Sequence, residues 1–217
     1  MHKLFQRNHD PIWHAQLALI IVVILQLFTD SSLLPLPKAA IITPELLLIC
    51  ILTLVTPAGY ERVSKTRRTI GVGLIGFIAM TNTVSLLLLL SALFFGQGAV
   101  DGHSLLLNGL VIYVTNIIMF ALWYWEIDGG GPDKRLANQA SKEDFMFPQL
   151  IHTDIFKNAW RPGFVDYLYL SVTNVTNFAS ADTLPVSRRA KILMMLQALS
   201  AVITVVLVAA RAISILE

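Results

Sequence analysis

Between Asp166 and Ser187 the chain reads DYLYLSVTNVTNFASADTLPVS, and among its oxygen-bearing side chains three are the leading candidates to ligate a cation. These are the amide of Asn177, the hydroxyl of Ser180 and the carboxylate of Asp182. A carboxylate in such a place favours cations over anions. The same residues also suit a structural role, with Asn177 and Asp182 capping and bracing a loop and Ser180 packed against its neighbours. A second polar pair, His152 and Asp154, stands two apart in a polar segment without a nucleophile or metal partner beside it. No enzyme is therefore expected, and no metal or cofactor is assigned. The single cysteine, Cys50, lies among Leu and Ile, which excludes an internal disulfide or a cysteine metal cluster and reads as packing.

Composition places these residues in a bilayer. Of 217 residues, 55% are hydrophobic and 14% charged, and the mean hydropathy is +0.67. One soluble core cannot enclose that much apolar surface. Four stretches approach or exceed the roughly 20 apolar residues that cross a hydrocarbon core: Ile12 to Thr29, Thr69 to Phe95, Leu105 to Trp125 and Ala190 to Leu216. A fifth, Ala39 to Val55, is only just long enough and holds Pro44 and Glu45. The first segment lacks a small-residue cleavage site and is expected to stay as an anchor. The net charge of +2 is small, and nothing points to nucleic acid.

The connectors supply further signals. In the first apolar helix, His14, Gln16 and Gln26 are expected to face protein. Thr43, Pro44 and Glu45 together are helix-start signals, which argues for a break near Thr43. Gly71, Gly73, Gly76 and the patch Thr81, Asn82, Thr83, Ser85 read as close helix packing, with a substrate-lining face as the alternative. Trp123, Tyr124 and Trp125 read as a headgroup belt. From Glu126 to Gly163 the chain is too polar to cross. Gly129 to Pro132 marks a turn, and Phe145, Met146, Phe147, Leu150, Ile151 and Phe156 suggest an interfacial segment. Phe164 to Val175 has the length of about three helical turns, with Asp166 in the first turn at the positive helix end.

The segment DYLYLSVTNVTNFASADTLP resembles the pore loop of tetrameric potassium channels, where a helix of the type DYLYFSLTTLT leads into T-V-G-Y-G-D and a proline. Here the frame carries Thr176, Asn177, Phe178, Ala179, Ser180, Ala181 and Asp182, with Pro185 following. The resemblance covers about 50 residues from Phe164 to the carboxyl end and implies a re-entrant pore helix and loop before the last helix. Together with the apolar stretches, the expectation is an all-α integral membrane protein of about five transmembrane helices, three of them N-terminal in residues 1–104. Residues 105–217 then form a channel-like unit of outer helix, polar 126–163 segment, pore loop 164–187 and inner helix 190–216. Gln197, Ser200, Ala201 and Thr204 are the inner-helix pore candidates. The pattern WYWEIDGGGPDKR followed by DFMFPQ is also similar to a group of bacterial membrane proteins related to ion channels.

The resemblance stops at the filter. Ala179 and Ala181 occupy the places of the filter glycines, and left-handed alanine costs roughly 1 to 2 kcal/mol per residue. Across four subunits that is on the order of 8 to 16 kcal/mol, comparable with a domain's net stability. A potassium-selective carbonyl filter is therefore not expected. Rings of Asn177, Ser180 and Asp182 side chains would instead make a non-selective or weakly cation-selective pore in a homotetramer of the inner membrane, in contact with lipid and inorganic ions. A non-conducting module for assembly or sensing is the alternative.

Lys and Arg cluster in the amino end, in the connector with Arg62, Lys65, Arg67 and Arg68, and in the 126–163 segment. With five spans, the positive-inside rule makes the loop enter from the cytoplasm, opposite to potassium channels and like glutamate-receptor channels. The other possibility is that Ala39 to Val55 does not span.

Overall fold

The computed structural model describes residues 13–31, 34, 36–55, 65–95, 102–136, 140, 142–151, 160–177 and 182–216. The expected filter residues Phe178, Ala179, Ser180 and Ala181, together with Phe156, His152 and Asp154, lie outside the described residues.

Among the described residues the chain is all-α apart from one pair of two-residue strands. Helices α1 (Trp13–Phe28), α2 (Lys38–Val55), α3 (Lys65–Phe95) and α4 (Gly102–Ile127) come first, then a 3-10 turn at Asp128–Gly130. The short α5 (Pro132–Leu136), β1 (Phe145–Met146) and α6 (Pro148–Ile151) follow. The chain closes with α7 (Phe164–Thr176), β2 (Leu184–Pro185) and α8 (Arg188–Leu216).

Among the described residues, three helices are long and apolar enough to cross a membrane: Lys65–Phe94, His103–Gly130 and Arg188–Ala210. Helices α1 and α2 are shorter, with 16 and 18 residues. Helix α1 packs on α4, and α2 packs on α3. At one end, Lys38 in α2 donates to the Leu27 carbonyl (2.9 Å), and the Asp30 amide donates to Asn108 in α4 (2.7 Å). At the other end, Gln16 donates to Thr53 (3.3 Å), closing the α1–α2 pair.

Helix α4 is the hub of the bundle. It packs on α1, α3, α7 and α8, and 61% of its apolar window is buried, against 44% for α3 and 28% for α8. Close approach occurs at Gly109, where an added Cβ would collide with Val208 of α8. Gly71, Gly73 and Gly76, expected to mark close packing, have open space around them instead.

Three other expectations are corrected. Helix α2 continues through Pro44 without a break at Thr43. A proline in a membrane helix is tolerated when neighbours satisfy the freed groups, and the next residue, Glu45, is held by Gln26 of α1. Tyr124 and Trp125 are buried in the chain rather than forming a headgroup belt. Tyr124 meets Phe145 edge-on, and Trp125 lies against Phe164 and beneath the Arg67 guanidinium. Phe145 and Phe147, read as interfacial, are core residues too, because Tyr124, Trp160 and Tyr167 surround them. Gln26 does face protein, as expected.

Candidate functional site on the α7 hairpin

Helix α7 begins where the chain needs a cap. Gly163 precedes it in extended conformation, and its N–H donates to the Asp166 carboxylate at 2.7 Å. The carboxylate thus sits at the positive helix end, as its position in the first turn implied. Residues Tyr167, Leu170, Ser171 and Asn174 recur at helical spacing and are buried, while Val165, Tyr169 and Val172 face outward.

The buried stripe is fixed to α4 and α8 at successive depths. At the entrance, Tyr167 donates its hydroxyl to Asp128 at 2.5 Å. Deeper, the Ser171 hydroxyl donates to the Ile117 carbonyl (2.6 Å), about 15 Å along α4 from its end at 1.5 Å per residue. Asn174 donates to the Met194 carbonyl (3.1 Å) and to Gln197 (2.9 Å) in α8. The helix stops at Asn177, whose N–H still reaches the Thr173 carbonyl.

The chain then comes back to the end it entered from. Asp182 accepts from Tyr169 at 3.4 Å, alongside the middle of α7. Leu184 and Pro185 pair antiparallel with Met146 and Phe145, and the Val186 amide donates to the Asp144 carbonyl. Ser187 caps α8 by accepting from the Ala190 amide (3.1 Å). Helix α7 and its return thus form a hairpin inserted between α4 and α8.

Of the expected filter residues, Thr176, Asn177 and Asp182 are exposed at the tip and on the return. The Thr176 hydroxyl is engaged by its own helix at the Val172 carbonyl. The inner-helix candidates look the other way. Gln197, Ala201 and Thr204 are buried, and Ser200 is half-buried, accepting from Asn116 of α4 at 2.6 Å. Gln197 accepts from Tyr124 and donates to Ser171, so it is the polar centre of the α4–α7–α8 contact. The outward face of α8 is apolar, with Ile192, Met195, Leu196, Leu199 and Val206 exposed.

The entrance is braced by a charged knot that sequence reading took only as a turn. Gly129, Gly130 and Gly131 all have positive φ, conformations that side chains resist. They fold the chain back so that the Asp128 carboxylate accepts the Asp144 and Phe145 amides as well as Tyr167. Asp144 in turn takes a two-pronged contact from Arg189 at the start of α8, the strong fork geometry of guanidinium and carboxylate. Arg67 of α3 is buried against Asp133 (2.8 Å) and Glu126 (3.4 Å). Arg135 donates to the Trp125 and Asp128 carbonyls and lies over the Tyr167 ring. The available signal was an acidic residue directly before three glycines, followed by alternating charge.

No family model, curated protein or solved structure matches this chain.

Proposed function

We propose that the chain is one subunit of a homotetrameric pore-loop protein of the plasma membrane, with five membrane-crossing helices and α7 with its return as the re-entrant loop. Its pore is non-selective or weakly cation-selective. The observation that carries this reading is the hairpin, which enters beside Asp128, reaches the level of Ile117 and Gln197, and leaves beside Asp144. Backbone that turns at membrane depth is tolerated only where protein or a water-filled path surrounds it. Four copies follow from the need to close a ring around one axis. In this reading the ion-facing oxygens are those of Thr176, Asn177, Ser180 and Asp182, since Gln197, Ala201 and Thr204 are buried within the chain.

Lys65, Arg67, Arg68, Lys134, Arg135, Arg188, Arg189 and Lys191 lie in helices that end near the hairpin entrance, and Lys142 and Arg161 lie in the connecting segments there. By the positive-inside rule that end is cytoplasmic. The loop therefore inserts from the inside, and α1 and α2, as two of the five crossings, keep the amino end on the same side.

The apolar outward face of α8 favours a second reading, a non-conducting pore-loop module for assembly or sensing, since such a face along an axis would exclude water. Ion flux in liposomes decides between them. Wild-type flux that changes with Asn177→Leu and Asp182→Asn is expected of the channel. No flux across a range of pH, voltage and ions leaves the non-conducting module.

A further inference from the structure

Away from the hairpin, Glu45 of α2 is fully buried, and its Oε1 accepts from the Gln26 amide nitrogen at 3.0 Å. Among the described residues it forms no ion pair, so no cationic side chain among them balances its charge. An uncompensated carboxylate among membrane helices is costly and marks function by default.

Its partner Gln26 lines a cavity of about 20 Å³ between α1, α2, α3 and α4, together with Thr29, Thr81, Ser85 and Thr115 among others. One water-sized body fits such a volume. Three buried oxygens here have no hydrogen-bond partner: Gln26 Oε1, Glu45 Oε2 and Thr115 Oγ1. Gln26 joins the acid to the cavity, since its nitrogen is held by Glu45 while its own side chain lines the space. All three unpartnered atoms have lone pairs that a donor or a cation can satisfy, and the carboxylate charge of Glu45 favours a cation. One carboxylate among neutral oxygens balances one charge. A divalent ion takes more carboxylates, and no group of three His, Cys, Asp or Glu suited to a metal occurs among the described residues.

We propose that Glu45, Gln26 and Thr115 form a buried site for one monovalent cation of sodium size, separate from the hairpin. The ion neutralises Glu45 and ties α1 and α2 to α4, so its binding stabilises the bundle. A ligand bound only by the folded state raises the unfolding temperature with concentration.

The test uses the full chain in lipid nanodiscs at a pH above the usual carboxylate range. Melting is followed by tryptophan fluorescence in sodium, potassium or choline chloride at matched ionic strength, with radiosodium bound at equilibrium counted alongside. Saturating sodium is expected to raise Tm by about 3 to 8 °C over choline, with one sodium held per chain. Glu45→Gln is expected to remove the shift and weaken sodium binding more than tenfold. Thr115→Val, which keeps the acid, is expected to weaken it severalfold. Equal melting in sodium and choline means that Glu45 is simply protonated and overturns the site. So does sodium binding that survives Glu45→Gln, or that Asp182→Asn abolishes instead. Should Glu45→Gln not fold, unchanged affinity in Thr115→Val overturns it.

Discussion

The side-chain nitrogen of Asn174 donates to Gln197 Oε1 at 2.9 Å, joining the hairpin helix α7 to the last helix α8 inside the bundle. The same Gln197 oxygen accepts from the Tyr124 hydroxyl of α4. One amide therefore holds three helices in register, and its burial makes each bond expensive to lose.

Gln197→Leu removes that acceptor and the donor to Ser171 while keeping the volume similar. Buried partners left unsatisfied cost about 1 to 3 kcal/mol each, so the variant is expected to lose at least about 2 kcal/mol. Thermal unfolding in detergent measures it. Stability within 0.5 kcal/mol of wild type, on the order of a surface substitution, would mean that the amide network does not hold the hairpin.

Asp128 and Tyr167 fix the hairpin entrance, and a double-mutant cycle of Asp128→Asn and Tyr167→Phe isolates their contact. Coupled neighbours show interaction energies of about 0.5 to 3 kcal/mol. Additive effects of the two substitutions would show that the hydroxyl is not bound to this carboxylate.

Arg67 and Arg68 are adjacent in sequence but differ in exposure, at 3% and 39%. Arg67→Ala leaves Glu126 and Asp133 facing each other without their shared cation and is expected to cost about 3 to 5 kcal/mol. Arg68→Ala is expected to cost less than about 1 kcal/mol. A reversed order would place the wrong arginine in the knot.

Gly109→Ala pushes a methyl group into Val208 and is expected to destabilise the α4–α8 contact by about 1 to 3 kcal/mol. Gly76→Ala meets nothing within 4 Å and is expected to be neutral or slightly stabilising. Comparing the two unfolding temperatures checks where the helices come closest.

Sidedness is read by labelling single cysteines in a Cys50→Ser background. A cysteine at Lys142, near the hairpin entrance, is expected to react only from the cytoplasmic side, and one at His103 only from the opposite side. The reverse pattern would turn the bundle over and place the hairpin on the outside.

Length and hydropathy alone determined that this is a membrane-type, all-helical chain with long spans in α3, α4 and α8. Local chemistry also placed the short helix before the last span, with Asp166 in its first turn, and Ser187 ahead of α8. These are properties of contiguous residues, which a linear reading can see. Side-chain direction is another matter. In a bilayer, lipid-facing and protein-facing residues are both apolar, so a linear reading could name Gln197, Ala201 and Thr204 as inner-helix candidates but could not show that they are buried within the chain. Only the packing of segments far apart decided this, as with Tyr124 and Gln197, 73 residues apart. It also decided that Glu45 meets Gln26, that Asp128 and Asp144 brace the entrance, and that α2 continues unbroken through Pro44. Each depends on which neighbour supplies the missing hydrogen-bond partner, and that is fixed only when the helices come together.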